Sequence, residues 1–142
     1  MIDKTSASPS PSVVFLSSTS AWGGSAASTC LDTAMSFAVF DVPVVLVLHG
    51  AGILQLLPEQ NGEALGLKTL ARTWGALSLY GIHEVLVEAE SLQGYGYTLD
   101  ELLCSAARAD EQEDSDEPLR LRSVGKAELA AIIAASKAVF NF

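Results

Sequence analysis

The 142-residue chain is poor in cysteine and in basic residues, and both shortages exclude kinds of protein. Its two cysteines, Cys30 and Cys104, cannot build a disulfide framework and stand in no C-x-x-C or Cys/His spacing, so no zinc site is predicted. The chain has 8 Lys and Arg residues and 17 Asp and Glu residues, and the basic residues form no cluster in the sequence. Direct electrostatic binding of nucleic acid is therefore not expected.

Long apolar runs and a targeting signal are missing too. The longest apolar run, Val42–Leu48, is interrupted by Pro43 and is far too short to span a membrane. Residues 1–12 are rich in Ser and Pro and lack a basic region followed by an apolar core, so no signal peptide is predicted. We expect these residues to be a disordered lead and the protein to be cytoplasmic.

The composition is apolar for so small a chain. Hydrophobic residues make up 49% of it, and the mean hydropathy is positive. One explanation is a core rich in Ala and Leu, and the other is apolar surface that closes against further subunits. The length suits one domain with a core of its own, without disulfide bonds.

The negative charge is concentrated in one segment. Asp110–Glu117 holds six acidic residues and no basic one, and so accounts for six of the nine net negative charges. We expect an acidic loop at 106–118. Such a run is usually solvated, and docking to a partner is the alternative.

Short apolar runs alternate with segments of helical spacing along the chain. The expected strands are Ser12–Ser17, Asp41–Leu48, Ile82–Val87, Leu119–Val124 and Ala138–Phe142. Helices are expected from Ser25 to about Phe40, over Glu63–Tyr80 and over Ser123–Ser136, with a helical turn at Ile53–Leu57 and a loop and short helix within Ser91–Cys104. This alternation predicts one α/β domain over residues 13–142, a layered sheet of about five mostly parallel strands with helices on both faces.

Polar residues near the strand ends are the first candidates for a site. The Gly23-Gly24-Ser25 turn could hold an anion or be a plain tight turn. His49 follows the second strand, where α/β proteins bind ligands, or is simply a loop histidine. Glu88 and Glu90 are the nearest approach to a carboxylate pair, and they would act as a general base, be solvated, or contact another subunit.

The cysteines and tryptophans are the remaining candidates. A sulfur-carrying thiol needs a lowered pKa, yet Cys104 is expected at a helix C-terminus before the acidic run, and Cys30 inside the first helix. Both cysteines are more typical of packing than of sulfur transfer. Trp22 lies in a Ser/Gly-rich loop and is a candidate surface anchor, whereas Trp74 is expected in the core.

Three sequence segments resemble the TusC/DsrF family. G-I-L-Q-L-L-P-E-Q, with Gly52, Gln55, Leu56 and Gln60, resembles the family's G-V-F-Q-L-L-x-x-Q signature. L-S-L-Y-G-I-H-E resembles L-x-L-Y-x-I/V-E-E, and A-E-S-L-Q-G-Y-G resembles A-x-S-L-x-x-x-G. An initial strand, an S-A-W-G-G-S turn and a helical C-L-D-T-A precede them in the family's order. The resemblance extends from about Val13 to Phe142.

This resemblance implies a DsrE/DsrF-like α/β fold and a role in sulfur relay. Family members assemble with TusB/DsrH-like and TusD/DsrE-like sister subunits into a heterohexamer with two copies of each. The complex passes persulfide sulfur, in many bacteria towards 2-thiouridine at the wobble position of certain tRNAs. In sulfur oxidisers the related complex serves dissimilatory sulfur metabolism. No cofactor and no direct contact with nucleic acid or membrane is implied.

Glu88 is where the resemblance places the sulfur-accepting cysteine of the TusD/DsrE-like sister. A carboxylate cannot hold a persulfide, so we expect a non-catalytic subunit without catalytic, cofactor-binding or metal-binding residues. The candidate interface residues are Trp22, Gln55, Glu88 and Glu90. The alternatives are a persulfide carrier acting through Cys104 or Cys30, and a small nucleotide- or anion-binding module. The acidic insertion and the lead depart from the family pattern.

Overall fold

The structure is a computed structural model that describes residues 11–22, 24–57, 70–102 and 119–142. Residues 1–10, Gln60, Cys104 and the acidic loop therefore lie outside the described residues, as does most of the segment between Leu57 and Leu70. Ser12 already belongs to the hydrogen-bonded fold, because its carbonyl oxygen accepts the backbone N–H of Lys137 at 2.8 Å. The fold thus begins slightly before the expected end of the lead.

Helices and strands alternate in the described residues as the pattern predicted. The strands are β1 (Val13–Ser17), β2 (Val44–Leu48), β3 (Glu84–Glu88), β4 (Arg120–Val124) and β5 (Ala138–Asn141). The α-helices are α1 (Ala26–Val39), α2 (Ala71–Ala76), α3 (Ala89–Tyr95) and α4 (Lys126–Ala135), and 3-10 helices span Gly50–Leu56 and Leu77–Tyr80. None of the helices within the described ranges is long and apolar enough to cross a membrane.

The five strands form one sheet in which every neighbouring pair is parallel. Its order is β4-β3-β2-β1-β5. The β-branched run of β1 is buried from both sides, as parallel strands are, and Val13 and Val14 are at most 4% exposed. The predicted α/β fold with a parallel sheet is confirmed.

Side chains alternate between the two faces of this sheet. Phe15, Leu46 and Val85 belong to a large cluster on what we call the first face, where α1, α2, α3 and both 3-10 helices pack. Val14, Val47 and Leu86 belong to a smaller cluster on the second face, with Leu129 of α4. Right-handed crossovers explain this division, because the chain advances from β1 to β4 in one direction and then returns across β1 to β5.

Several element boundaries differ from the expected ones. β2 begins at Val44, three residues later than expected, because Asp41 has a positive φ of 61° and its N–H still bonds to Ala38 at the end of α1. The helix expected up to Tyr80 becomes a 3-10 helix in its last turn and ends where Gly81 adopts a left-handed φ of 86°. Ser25 occupies the N-cap position of α1, but its hydroxyl makes no capping bond.

Candidate binding site at the carboxyl edge of the sheet

Three adjacent strands bring their carboxyl ends together at one edge of the sheet. β1 ends at Ser17, β2 at Leu48 and β3 at Glu88, and the register pairs Ser17 with Leu48. In open α/β sheets this edge is where ligands and partners bind. The residues that follow these strands are therefore the candidate site.

The 3-10 helix after β2 lies directly on the end of β1. A Cβ atom at Gly52 would stand 2.0 Å from the carbonyl oxygen of Ser17, so only glycine fits this contact. Gln55, which is 4% exposed, donates from Nε2 to Ser17 Oγ at 2.7 Å and to the Thr19 carbonyl oxygen at 2.8 Å. The glycine and glutamine of the G-x-x-Q signature thus hold this segment against β1.

A serine joins the ends of β2 and β3. The buried Ser91 accepts the backbone N–H of Gly50 at 2.7 Å and donates its hydroxyl to Glu88 Oε1 at 2.8 Å. Glu88 itself is half-buried at the last position of β3. Sequence reasoning did not select Ser91, although it lies inside the A-E-S-L motif that carried the resemblance.

The two carboxylates near this edge have different partners. Glu88 is held by Ser91, whereas Glu90 forms an ion pair with Lys126 at the start of α4, with Glu90 Oε2 and Lys126 Nζ 2.8 Å apart. The hydrogen bond that Lys126 donates to Glu90 raises the pKa of Lys126 above its usual value. Both members of the ion pair are exposed, so it adds little stability. The two glutamates therefore hydrogen-bond to different side chains.

Cys30 is placed for packing and not for chemistry. It is fully buried in α1 against the first face. Burial raises the pKa of its thiol to about 11, and a hydrogen bond with Ser17 opposes this shift only in part. At neutral pH the group is a protonated, inaccessible thiol and a poor nucleophile. Cys104, the other candidate carrier, lies outside the described residues.

The other predicted site residues have ordinary structural roles. His49 follows β2 at the carboxyl edge, where its backbone N–H donates to Ser17 at 3.1 Å and its carbonyl oxygen accepts from Gly52. Trp74 is 2% exposed in the core, as expected, and Trp22 is half-buried against the first-face cluster. Gln55, a candidate interface residue, is 4% exposed and makes its hydrogen bonds within the chain, and its role at an interface stays a prediction.

The described residues contain no set of three or more His, Cys, Asp or Glu side chains that could hold a metal ion. The turn proposed to hold an anion is described only in part, since Gly23 falls outside it, and Gly24 has a φ of 121°. At the carboxyl edge, the buried Gln55 and Ser91 join the segments that follow the strands by hydrogen bonds, and the half-buried Glu88 lies beside Ser91. Such an arrangement is suited to binding.

The parallel five-stranded sheet and the residues at its carboxyl edge define a small α/β protein. The sequence model of the DsrE/DsrF-like family matches residues 12–142, and the chain belongs to this family. The resemblance carried by the three motifs is thereby confirmed.

Two relatives are similar to this chain over most of their own length. The chain is 32% identical to a Protein TusC homolog of Pseudomonas aeruginosa over 103 residues, 72% of this chain and 87% of that protein. It is 27% identical to the intracellular sulfur oxidation protein DsrF of Allochromatium vinosum over 112 residues, 79% of this chain and 82% of that one.

A solved structure shares the fold. The YchN protein of E. coli superposes with a TM-score of 0.68, covering 93% of this chain and 99% of that one at 14% identity. At this identity the likeness concerns the fold alone, and it agrees with the predicted DsrE/DsrF-like architecture.

Proposed function

We propose that this chain is a non-catalytic subunit of a sulfur-relay complex, and that the thiol chemistry takes place on a sister subunit. The names of its relatives, a TusC homolog and a sulfur oxidation protein, support a role in sulfur transfer. The proposed partners are TusB/DsrH-like and TusD/DsrE-like chains in a cytoplasmic heterohexamer.

The presence of a glutamate, Glu88, at the end of β3 is the observation that carries this proposal. It ends β3 at the carboxyl edge, the position at which the resemblance gives the sister its sulfur-accepting cysteine. A carboxylate lacks the sulfur atom that a persulfide needs, and Glu88 Oε1 already accepts the hydroxyl of Ser91. Cys30, the cysteine that the structure describes, is buried with a raised pKa. Binding of partners is then the role that these residues fit.

The destination of the sulfur is the finer part of the proposal. Identity is higher to the TusC homolog, at 32%, than to DsrF, at 27%, which favours tRNA wobble 2-thiouridine over sulfur oxidation. Deletion of the gene should then abolish 2-thiouridine in tRNA, measured by mass spectrometry of nucleosides. Unchanged 2-thiouridine would contradict this destination without affecting the subunit role.

Co-expression with the candidate sisters of the same genome tests the subunit role. Native mass spectrometry should find a defined hetero-oligomer, and a persulfide-specific label should mark the sister's cysteine and not this chain. Variants Cys30→Ser and Cys104→Ser serve as controls, since neither should change sulfur passage. If the chain stays alone and the persulfide label is found on its Cys104, the protein is itself a carrier. If a nucleotide raises the melting temperature of the isolated chain, the alternative of a nucleotide-binding module is favoured.

A further inference from the structure

The last helix, α4, is held to the sheet by few buried side chains. Leu129 is the buried residue of this helix, at 9% exposed, and Ile132 and Ile133 are half-buried against the second-face cluster. By comparison, α1 buries four residues in the larger first-face cluster: Ala27, Cys30, Leu31 and Ala34. Because burial of apolar surface supplies most of the free energy that holds a helix in place, α4 is attached more weakly than α1.

The same helix has little stability of its own. It is ten residues long, and isolated helices shorter than about 12–15 residues are marginal in water even when they are rich in alanine. Its N-cap residue is Gly125, which has no side chain to accept the free backbone N–H groups of the first turn. Packing on the sheet is therefore what keeps α4 helical, and the helix should unfold when that packing is lost.

Two ion pairs join α4 to neighbouring elements, and both lie in solvent. Glu128 pairs with Arg122 of β4, and Lys126 pairs with Glu90 of α3. All four side chains are at least 44% exposed. Exposed ion pairs contribute little stability, because water and salt screen their charges. They do not replace the buried contacts that α4 lacks.

The strands on either side of α4 are paired without its help. β4 hydrogen-bonds to β3, and β5 hydrogen-bonds to β1. Beyond β5, the backbone N–H of Phe142 donates to the Leu16 carbonyl oxygen at 2.8 Å, and the Ser18 hydroxyl donates to the Phe142 carbonyl oxygen at 3.0 Å. Residues 125–137 thus connect two anchored strands. Since an extended chain spans more distance per residue than a helix, this connection can unfold without moving either strand.

We propose that α4 is a strap that opens from the second face by itself, while the first face of the domain stays folded. In the open state Leu129 leaves its cluster, and Val14, Val47 and Leu86 beneath it become accessible to water. Exposing this cluster costs free energy, so the open state is a minor one. It costs less than unfolding the first face, whose cluster is larger. Opening needs no partner, so the isolated chain is sufficient to detect it.

Amide hydrogen exchange of the wild-type chain tests the opening directly. Under native conditions the amides of Leu129–Ala135 should be protected at least about tenfold less than the amides of Cys30–Phe37 in α1. Urea below the unfolding transition should leave exchange in α4 nearly unchanged, because a local opening exposes little surface, and should accelerate exchange in α1. Equal protection of the two helices, with the same dependence on urea, would refute the strap.

Thiol labelling in a Cys104→Ser background gives a second, independent readout. Cys30 reports on the first face, where it is fully buried. Val47→Cys places a thiol of similar volume in the second-face cluster, where Val47 is fully buried. Each labelling rate is divided by the rate of the same thiol in the urea-unfolded chain. The second-face thiol should then react at least about tenfold faster than Cys30, and equal rates would overturn the proposal.

Two substitutions, one on each face, separate local opening from global unfolding. Leu129→Ala removes the buried contact of α4 and should accelerate exchange of its amides by about tenfold or more. Cys30→Ala leaves a cavity on the first face and should lower the protection of α1 by roughly tenfold. It should leave α4 within about twofold of the wild type, because first-face contacts are the same whether the strap is closed or open.

The response of α4 to Cys30→Ala decides the matter even if Leu129→Ala does not fold. Circular dichroism and melting curves first establish that the Cys30→Ala chain is folded. If its α4 amides lose as much protection as its α1 amides, α4 opens only when the whole domain unfolds, and the proposal is wrong. If protection falls in α1 alone, the two faces open independently, as the strap requires.

Discussion

Replacing Gly52 by alanine adds one methyl group and should lower the free energy of unfolding by a large amount. The added methyl group of Gly52→Ala would lie 2.0 Å from the Ser17 carbonyl oxygen and 2.8 Å from its carbonyl carbon. Optimal contact between nonbonded heavy atoms is about 3.5 Å, so the 3-10 helix must withdraw from β1 by more than about 1 Å. Neither neighbour is a flexible side-chain end that could move aside.

The withdrawal also breaks buried hydrogen bonds. Gln55 lies one helical turn further along and donates to Ser17 at 2.7 Å and to Thr19 at 2.8 Å. A shift of about 1 Å takes both beyond useful hydrogen-bonding distance. Overpacking costs about 1–3 kcal/mol and each buried group left unsatisfied a similar amount, so we expect a loss of roughly 3–5 kcal/mol. That is a large share of a typical stability of about 5–15 kcal/mol.

Urea unfolding followed by far-UV circular dichroism measures this loss as a lower midpoint at an unchanged slope. Gly94→Ala is the matched control, because Gly94 lies in α3 and a Cβ atom there meets nothing within 4 Å. It should be neutral or stabilise by up to about 1 kcal/mol. A Gly52→Ala protein within about 0.5 kcal/mol of the wild type would refute the close-contact argument.

Three further predictions follow from the same edge and from the buried thiol. Ser91→Ala removes the bridge between Gly50 and Glu88 and should lower the free energy of unfolding by about 1–2 kcal/mol in urea titrations; an unchanged midpoint would count against the bridge. In a Cys104→Ser background, Cys30 should resist alkylation in the native state and react on unfolding, and rapid native labelling would contradict its burial. Burial raises the pKa of Cys30 from 9.0 to about 11, so between these pH values the thiol is ionised in the unfolded chain and protonated in the folded one. The stability contributed by this difference is fully present below pH 9 and should be lost as the pH rises to 11. Cys30→Ala should therefore flatten the fall in stability over that interval.

The secondary structure was largely predictable from the sequence, because its signals are local. The β-branched runs of β1 and β2 and the Ala-rich segment of α4 carry their hydrophobic pattern within a few residues. The boundaries that shifted lie where one backbone angle decides the outcome. Asp41 at φ 61° is such a place, and no pattern of hydrophobicity reports it.

The site was predictable only in part. The motifs identified Glu88, Gly52 and Gln55 as notable, but the sequence did not indicate that Gln55 is buried against the end of β1. Ser91 was missed because its partner Gly50 is 41 positions away along the chain. Residue spacing does not report a contact between the ends of two different strands.

The sequence by itself determined the family, the alternation of strands and helices, and the absence of a sulfur atom at position 88, because each depends on residue identity and local order. Only the tertiary structure decided that Gly52 must touch Ser17, that Ser91 joins two strand ends, and that α4 packs on the face of the sheet opposite the other described helices. The first two depend on the pairing of β1 with β2 and of β2 with β3, and the third depends on the return of the chain from β4 to β5 beside β1. Pairing of neighbouring strands brings residues that are distant in the sequence together, and this is the physical reason that sequence pattern alone does not report these contacts.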